Sequence, residues 1–147
     1  MDYRRLIVAA VLSVAAVAAL ARGASAAAPP KQFVAILNEP QEVPPNTGTA
    51  SGTAYLTFSE TTKLLCVTLT YSGLSSAEIS AHVHGPALPG VDGSIVFGLP
   101  LGNPKNICVG PLANSEKTSL LKNQLYINVH TTNFPNGEIR GQILRIK

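Results

Sequence analysis

Proline and glycine recur roughly every ten residues from Pro29 onward, and short runs alternating apolar with polar residues lie between them. All 11 prolines and 11 of the 12 glycines fall after residue 26. Chain broken this often leaves little room for helices of ordinary length, while strands of roughly five to six residues fit between the breaks. The runs are rich in Val, Ile, Leu, Thr, Tyr and Phe, which suit a pleated, half-buried surface. The pattern predicts an all-β fold, a Greek-key antiparallel β-sandwich of about 7–8 strands. Strands are expected near 32–37, 52–59, 63–71, 79–84, 94–99, 125–131 and 138–146, with a short edge strand near 106–109. Ser59 to Lys63 reads as a hairpin loop, and Pro135-Asn136-Gly137 is a strong turn signal. Residues 38–51 read as an irregular loop. Ser115–Lys122 has mild helical character and is expected to lead into a strand or to form one helical turn.

The first 26 residues have the order of a secretory signal peptide: Arg4 and Arg5, an apolar run from Leu6 to Leu20, then Ala24-Ser25-Ala26 as a cleavage site. The run falls short of the roughly 20 residues that span a bilayer, so an uncleaved anchor helix is the weaker reading. The Arg pair leaves export by the general or the twin-arginine route open. Residues 27–147 would then form one domain, secreted or periplasmic, with no membrane span. The leader carries Asp2, Arg4, Arg5 and Arg22, so removing it lowers the formal net charge from +3 to +1. No basic run remains to interleave with aromatic residues, which argues against a nucleic-acid partner. Cys66 and Cys108 are the only cysteines. In an exported chain an even count favours a disulfide, here worth on the order of 4 kcal/mol in the chain-entropy model. Free thiols are the alternative. Metal ligation by cysteine is disfavoured, because neither has a histidine or second cysteine at metal-finger spacing.

The chain has 3 histidines, and all sit in two short motifs, Ala81-His82-Val83-His84-Gly85-Pro86 and Asn128-Val129-His130-Thr131. Residues two apart on a strand share a face. Ile79, Ala81 and Val83 therefore form one face, and Ser80, His82 and His84 the other. In the later strand Leu125, Ile127 and Val129 oppose Tyr126, Asn128 and His130. With the apolar sets facing the core, all three histidines project from an outer face or into a cleft. Glu138, Arg140 and Gln142 form the polar side of the last strand, which places Glu138 and Arg140 near His130 or Asn128. Three neutral imidazoles suit Cu(II), Zn(II) or Ni(II), with Glu138 as a fourth ligand or orienting group and Asn128 and Arg140 on the same polar face. In the competing reading the same residues build a hydrogen-bonded polar layer of a structural or adhesive domain, with an extracellular protein as partner.

Other chemistry has less support. The chain has no Gly-x-Ser-x-Gly elbow and no glycine-rich phosphate loop. Its 8 acidic residues include no close pair of the kind glycosidases use. Asp92, in Gly90-Val91-Asp92-Gly93, reads as a turn residue. No catalytic set emerges, and the reading leans away from an enzyme.

Glu42-Val43-Pro44-Pro45, Ala50-Ser51-Gly52-Thr53-Ala54, Ala81 to Ala87, Tyr126 to Thr131 and Gly137-Glu138-Ile139-Arg140-Gly141-Gln142 together resemble the CHRD domain, named after chordin and common in exported bacterial proteins. The resemblance runs in order from about Phe33 to Leu144. It implies an exported β-sandwich module and says little about chemistry. In chordin such domains accompany other modules in an extracellular growth-factor antagonist, a role not expected of a single domain. More distantly, His-Val-His on one strand and Val-His on a later one are similar to copper-zinc superoxide dismutase. That similarity implies His82, His84 and His130 as copper ligands. The chain departs from the dismutase pattern in lacking a bridging histidine and a His/Asp zinc cluster, and it offers only Arg140 in place of the anion-guiding arginine. The similarity leaves room for a mononuclear copper or zinc site beside the structural reading, with dismutase-like redox turnover the outlying alternative.

Overall fold

The computed structural model describes residues 28–146; the leader expected at residues 1–26 lies outside the described residues. Nine strands follow in order: β1 Lys31–Asn38, β2 Ser51–Phe58, β3 Leu65–Ser72, β4 Glu78–His84, β5 Ile95–Leu99, β6 Lys105–Val109, β7 Tyr126–Thr131, β8 Ile139–Gln142 and β9 Leu144–Arg145. One α-helix, α1 (Asn114–Leu121), precedes β7. The expected sandwich is a single antiparallel sheet wrapped around its core and nearly closed. Its order is β5-β4-β7-β8-β1-β2-β3-β6, with β9 also paired to β1.

The alternation works as expected along most strands. Phe33, Ala35 and Leu37 of β1, Ala54, Leu56 and Phe58 of β2, and Leu65, Val67 and Leu69 of β3 all point inward. Ala81 and Val83 of β4, Ile127 and Val129 of β7, and Ile139 of β8 meet them from the other half of the sheet. Burying each of the Val, Leu, Ile and Phe side chains contributes about 1.5–3 kcal/mol. Ile79 is an exception to the expected core face, being 47% exposed. A register shift between Glu78 and Ser80 breaks the alternation just where it would have turned Ile79 inward.

Three further expectations are revised. β3 starts at Leu65 rather than Lys63, because Lys63 lies in the left-handed region (φ 57°) and closes the hairpin. The last strand is two. Ile143 interrupts it, donating its N–H to the Leu125 carbonyl at 2.9 Å and turning its side chain into the core. Ser115–Lys122 is neither strand lead-in nor single turn but most of an eight-residue helix. Its start is held by the Glu116 carboxylate, which accepts the Ala113 N–H at 2.7 Å, and Leu120 is fully buried beneath it. Cys66 and Cys108 face each other across β3 and β6 and are disulfide-bonded.

Close packing of β8 on β1 explains Gly141. A Cβ there would lie 2.6 Å from the Ile36 carbonyl oxygen and 2.8 Å from its carbon. Backbone cannot yield as a side-chain tip would, so Gly141→Ala is expected to destabilise the fold by about 1–3 kcal/mol. The urea midpoint is the measurement; an unchanged midpoint would show that the strands separate freely.

Candidate metal centre

β4 and β7 lie side by side, with His82 opposite Asn128 and His84 opposite Tyr126. The face of these strands that points away from the core therefore carries all three histidines. It is no open surface. The loops after β1 and β4 and the turn after β7 fold over it, leaving His84 8% and His130 7% exposed, while His82 is half-buried. The expected alternative of a cleft is the one realised.

Two backbone carbonyls set the chemistry. His84 Nδ1 lies 3.0 Å from the Gly93 oxygen, and His130 Nδ1 lies 3.1 Å from the Pro135 oxygen. A carbonyl only accepts, so each Nδ1 carries the hydrogen and each Nε2 keeps its lone pair. His84 Nε2 is buried with no hydrogen-bond partner. His130 Nε2 lies 3.1 Å from His82 Nδ1. A ring nitrogen from each histidine lies within 4.8 Å of the other two. Metal-bound imidazoles usually donate their second N–H to a carbonyl or carboxylate, which fixes tautomer and ring orientation. His84 and His130 have that arrangement already. His130 Nε2, with its lone pair kept, accepts from His82 Nδ1, and among the described residues no carbonyl holds His82.

Burial pushes all three imidazoles below the ordinary histidine range, against the raising effect of Gly93 on His84 and of Pro135 on His130. Neutral imidazole is the form that ligates a metal. The shift also sets a pH dependence. A folded-state value below the ordinary 6.5 means the unfolded chain takes up protons first, so stability is whole above about pH 6.5 and falls as the pH drops below it. Glu42 acts oppositely. Burial raises its carboxyl to about 7, against the pull of Arg140 and the Asn128 bond, so its contribution is present below 4.5 and lost as the pH rises through 7. In the metal-free protein the urea midpoint is expected to fall from pH 7 to pH 5.5, and Glu42→Gln is expected to steepen that fall by removing the opposing group. A midpoint flat across this window in both proteins would contradict the assignment.

The neighbouring polar residues separate into distinct jobs. Arg140 faces Asn128 across β7 and β8, as expected. Its guanidinium stacks 3.5 Å from the Tyr126 ring centre, and it donates to Asp92 Oδ1 at 3.2 Å and to the Val91 oxygen at 2.7 Å. His84 is stacked on the same tyrosine at 5.0 Å. Asn128 donates to Glu42 Oε2 at 3.2 Å. Glu138 is turned elsewhere: its two oxygens take the Thr131 hydroxyl at 2.5 Å and the Ser75 N–H at 2.6 Å. Gly93, Pro135, Tyr126 and Glu42 all shape this region, and none stood out in the sequence as a site residue. Gly93 and Pro135 act through main-chain oxygens, which side-chain identity does not advertise.

A family model described as CHRD domain matches residues 33–143, more than half of the chain. The chain belongs to the CHRD family. The matched span runs from β1 to Ile143 and includes all three histidines of this CHRD domain. Neither a curated protein nor a solved structure matches the chain. No helix among the described residues of this CHRD domain is long and apolar enough to cross a membrane.

Proposed function

We propose that this CHRD domain is an exported binding module that holds one Cu(II) or Zn(II) ion through His82, His84 and His130. One observation carries the reading: the buried, unpartnered Nε2 of His84, aimed at the site by the bond from its own Nδ1 to Gly93. A buried polar atom without a partner costs about 1–3 kcal/mol, and a metal ion would satisfy it. Export is supported by the signal-like order of residues 1–26, by the disulfide and by the family assignment. The chain's own part is to present three neutral imidazoles with two tautomers fixed and to keep carboxylates out of their immediate contacts. Copper tops the divalent affinity order for such nitrogen sites.

One observation favours a structural reading instead. His82 and His130 already bond each other, and two of the rings are tied to loop carbonyls. In that case the histidines serve to pin the covering loops, and the domain acts as a scaffold or adhesive module. Thermal melting separates the two. The metal reading expects a rise on the order of 10 °C at a metal concentration 100-fold above the dissociation constant, reversed by chelator. A melting temperature indifferent to Cu(II), Zn(II) and chelator, with His→Ala variants destabilised all the same, would establish the structural reading.

A further inference from the structure

Glu42, Val43 and Pro45 make no hydrogen bond to the three histidines, yet they border a cleft of about 440 Å³, within the roughly 300–1,000 Å³ typical of small-molecule sites. Glu42, Arg140 and Gln142 line its floor, and Pro40, Pro45 and Pro89 are among its walls. The floor contains polar capacity that the protein does not use. Glu42 is 5% exposed and Gln142 is 7% exposed, and each keeps one side-chain oxygen, Oε1, without a hydrogen-bond partner. Neither oxygen is free to turn away. The Gln142 amide is pinned by two bonds from its Nε2, to the Ala87 oxygen at 3.0 Å and the Asn123 oxygen at 2.8 Å. Glu42 is held through Oε2 by Asn128.

The charges narrow the ligand. Arg140 is committed to Asp92 and to the Leu88 and Val91 carbonyls, so it offers little to an anion. Burial raises the Glu42 carboxyl to about 7, which leaves it only partly charged at neutral pH and a weak lure for a cation. What remains is an apolar proline lining with two fixed, unpartnered acceptors sealed beneath it, a combination that suits hydroxyl donors on a ring with C–H faces. We propose that this cleft binds a neutral, hydroxyl-bearing ligand of the saccharide class against its prolines, and that Glu42 Oε1 and Gln142 Oε1, sealed from solvent just beneath it, take the ligand's hydroxyls once the Pro40–Pro45 loop shifts. The proposal does not depend on metal binding.

Saturation-transfer NMR on the purified protein tests it, with glucose, N-acetylglucosamine and maltose as neutral probes and glucosamine and glucuronate as charged ones, all in the presence of chelator. The expected result is transfer to at least one neutral sugar and at least tenfold weaker binding of the charged pair. Pro89→Trp and Pro45→Trp, in two different loops that line the cleft and both exposed, are each expected to abolish the transfer without lowering the melting temperature. Glu42→Gln, which still offers an oxygen, is expected to retain it. No transfer to any neutral sugar, equal binding of the charged probes, or transfer undiminished in both folded tryptophan variants would overturn the proposal.

Discussion

Lys105→Met is expected to lower the unfolding free energy by about 3–5 kcal/mol. Lys105 on β6 is 1% exposed. Its ammonium is paired with Glu78 and also bonds the Pro100 and Gly102 carbonyls at 2.8 Å each, so all three of its donors are used. Glu78 in turn accepts the Tyr71 hydroxyl at 2.6 Å and the Gly102 N–H at 3.0 Å. Burial pushes the Glu78 carboxyl up, but these bonds outweigh it and hold the group below its ordinary range. The cluster ties β4, near one end of the sheet order, to β3 and β6 at the other, and so helps to close the sheet on itself. Methionine keeps the length of the stem and removes the charge, which strands a buried carboxylate. The double variant Lys105→Met/Glu78→Gln is expected to cost less than the two single changes together, since neither charge is left alone. Urea denaturation measures both, and a loss under about 1 kcal/mol for Lys105→Met would mean that the pair is incidental.

The second large effect concerns the histidines. His84→Ala and His130→Ala are each expected to weaken Cu(II) or Zn(II) binding by more than about 100-fold, beyond the roughly 10–100-fold cost of losing a group that merely orients a ligand. His82→Ala is expected to weaken it as well. It should disturb the metal-free fold least, since His82 is half-buried and has no backbone partner among the described residues. Lowering the pH from 7 to 5 should weaken binding in the wild type, because protons compete for the same nitrogens. Calorimetry with each variant is the check; affinity unchanged in His84→Ala would remove that residue from the site.

The sequence carried the strands and the histidine face because both rest on period two, which the chain states directly. Phe33, Ala35 and Leu37 face the core for the same reason that His82 and His84 avoid it. The cysteine pair was legible from its even count in a chain expected to be exported. What stayed hidden depends on contacts between distant segments. Nothing local to Lys105 says that its charge will be buried against Glu78, and nothing in Glu42 says that a loop will carry it beneath the prolines. The shift at Glu78 and Ser80 that exposes Ile79 is likewise set by pairing with β7, not by the strand's own pattern. The orientation of the imidazoles, which decides the chemistry, comes from two loop carbonyls that any residue supplies.

X-ray absorption on the Zn(II)-loaded protein tests the three-imidazole site most directly. One tightly held ion per chain is expected, with three imidazole nitrogens at about 2.0–2.1 Å, falling to two in His84→Ala. A protein that retains no zinc after desalting, or zinc bound by fewer than three imidazoles in the wild type, would contradict it.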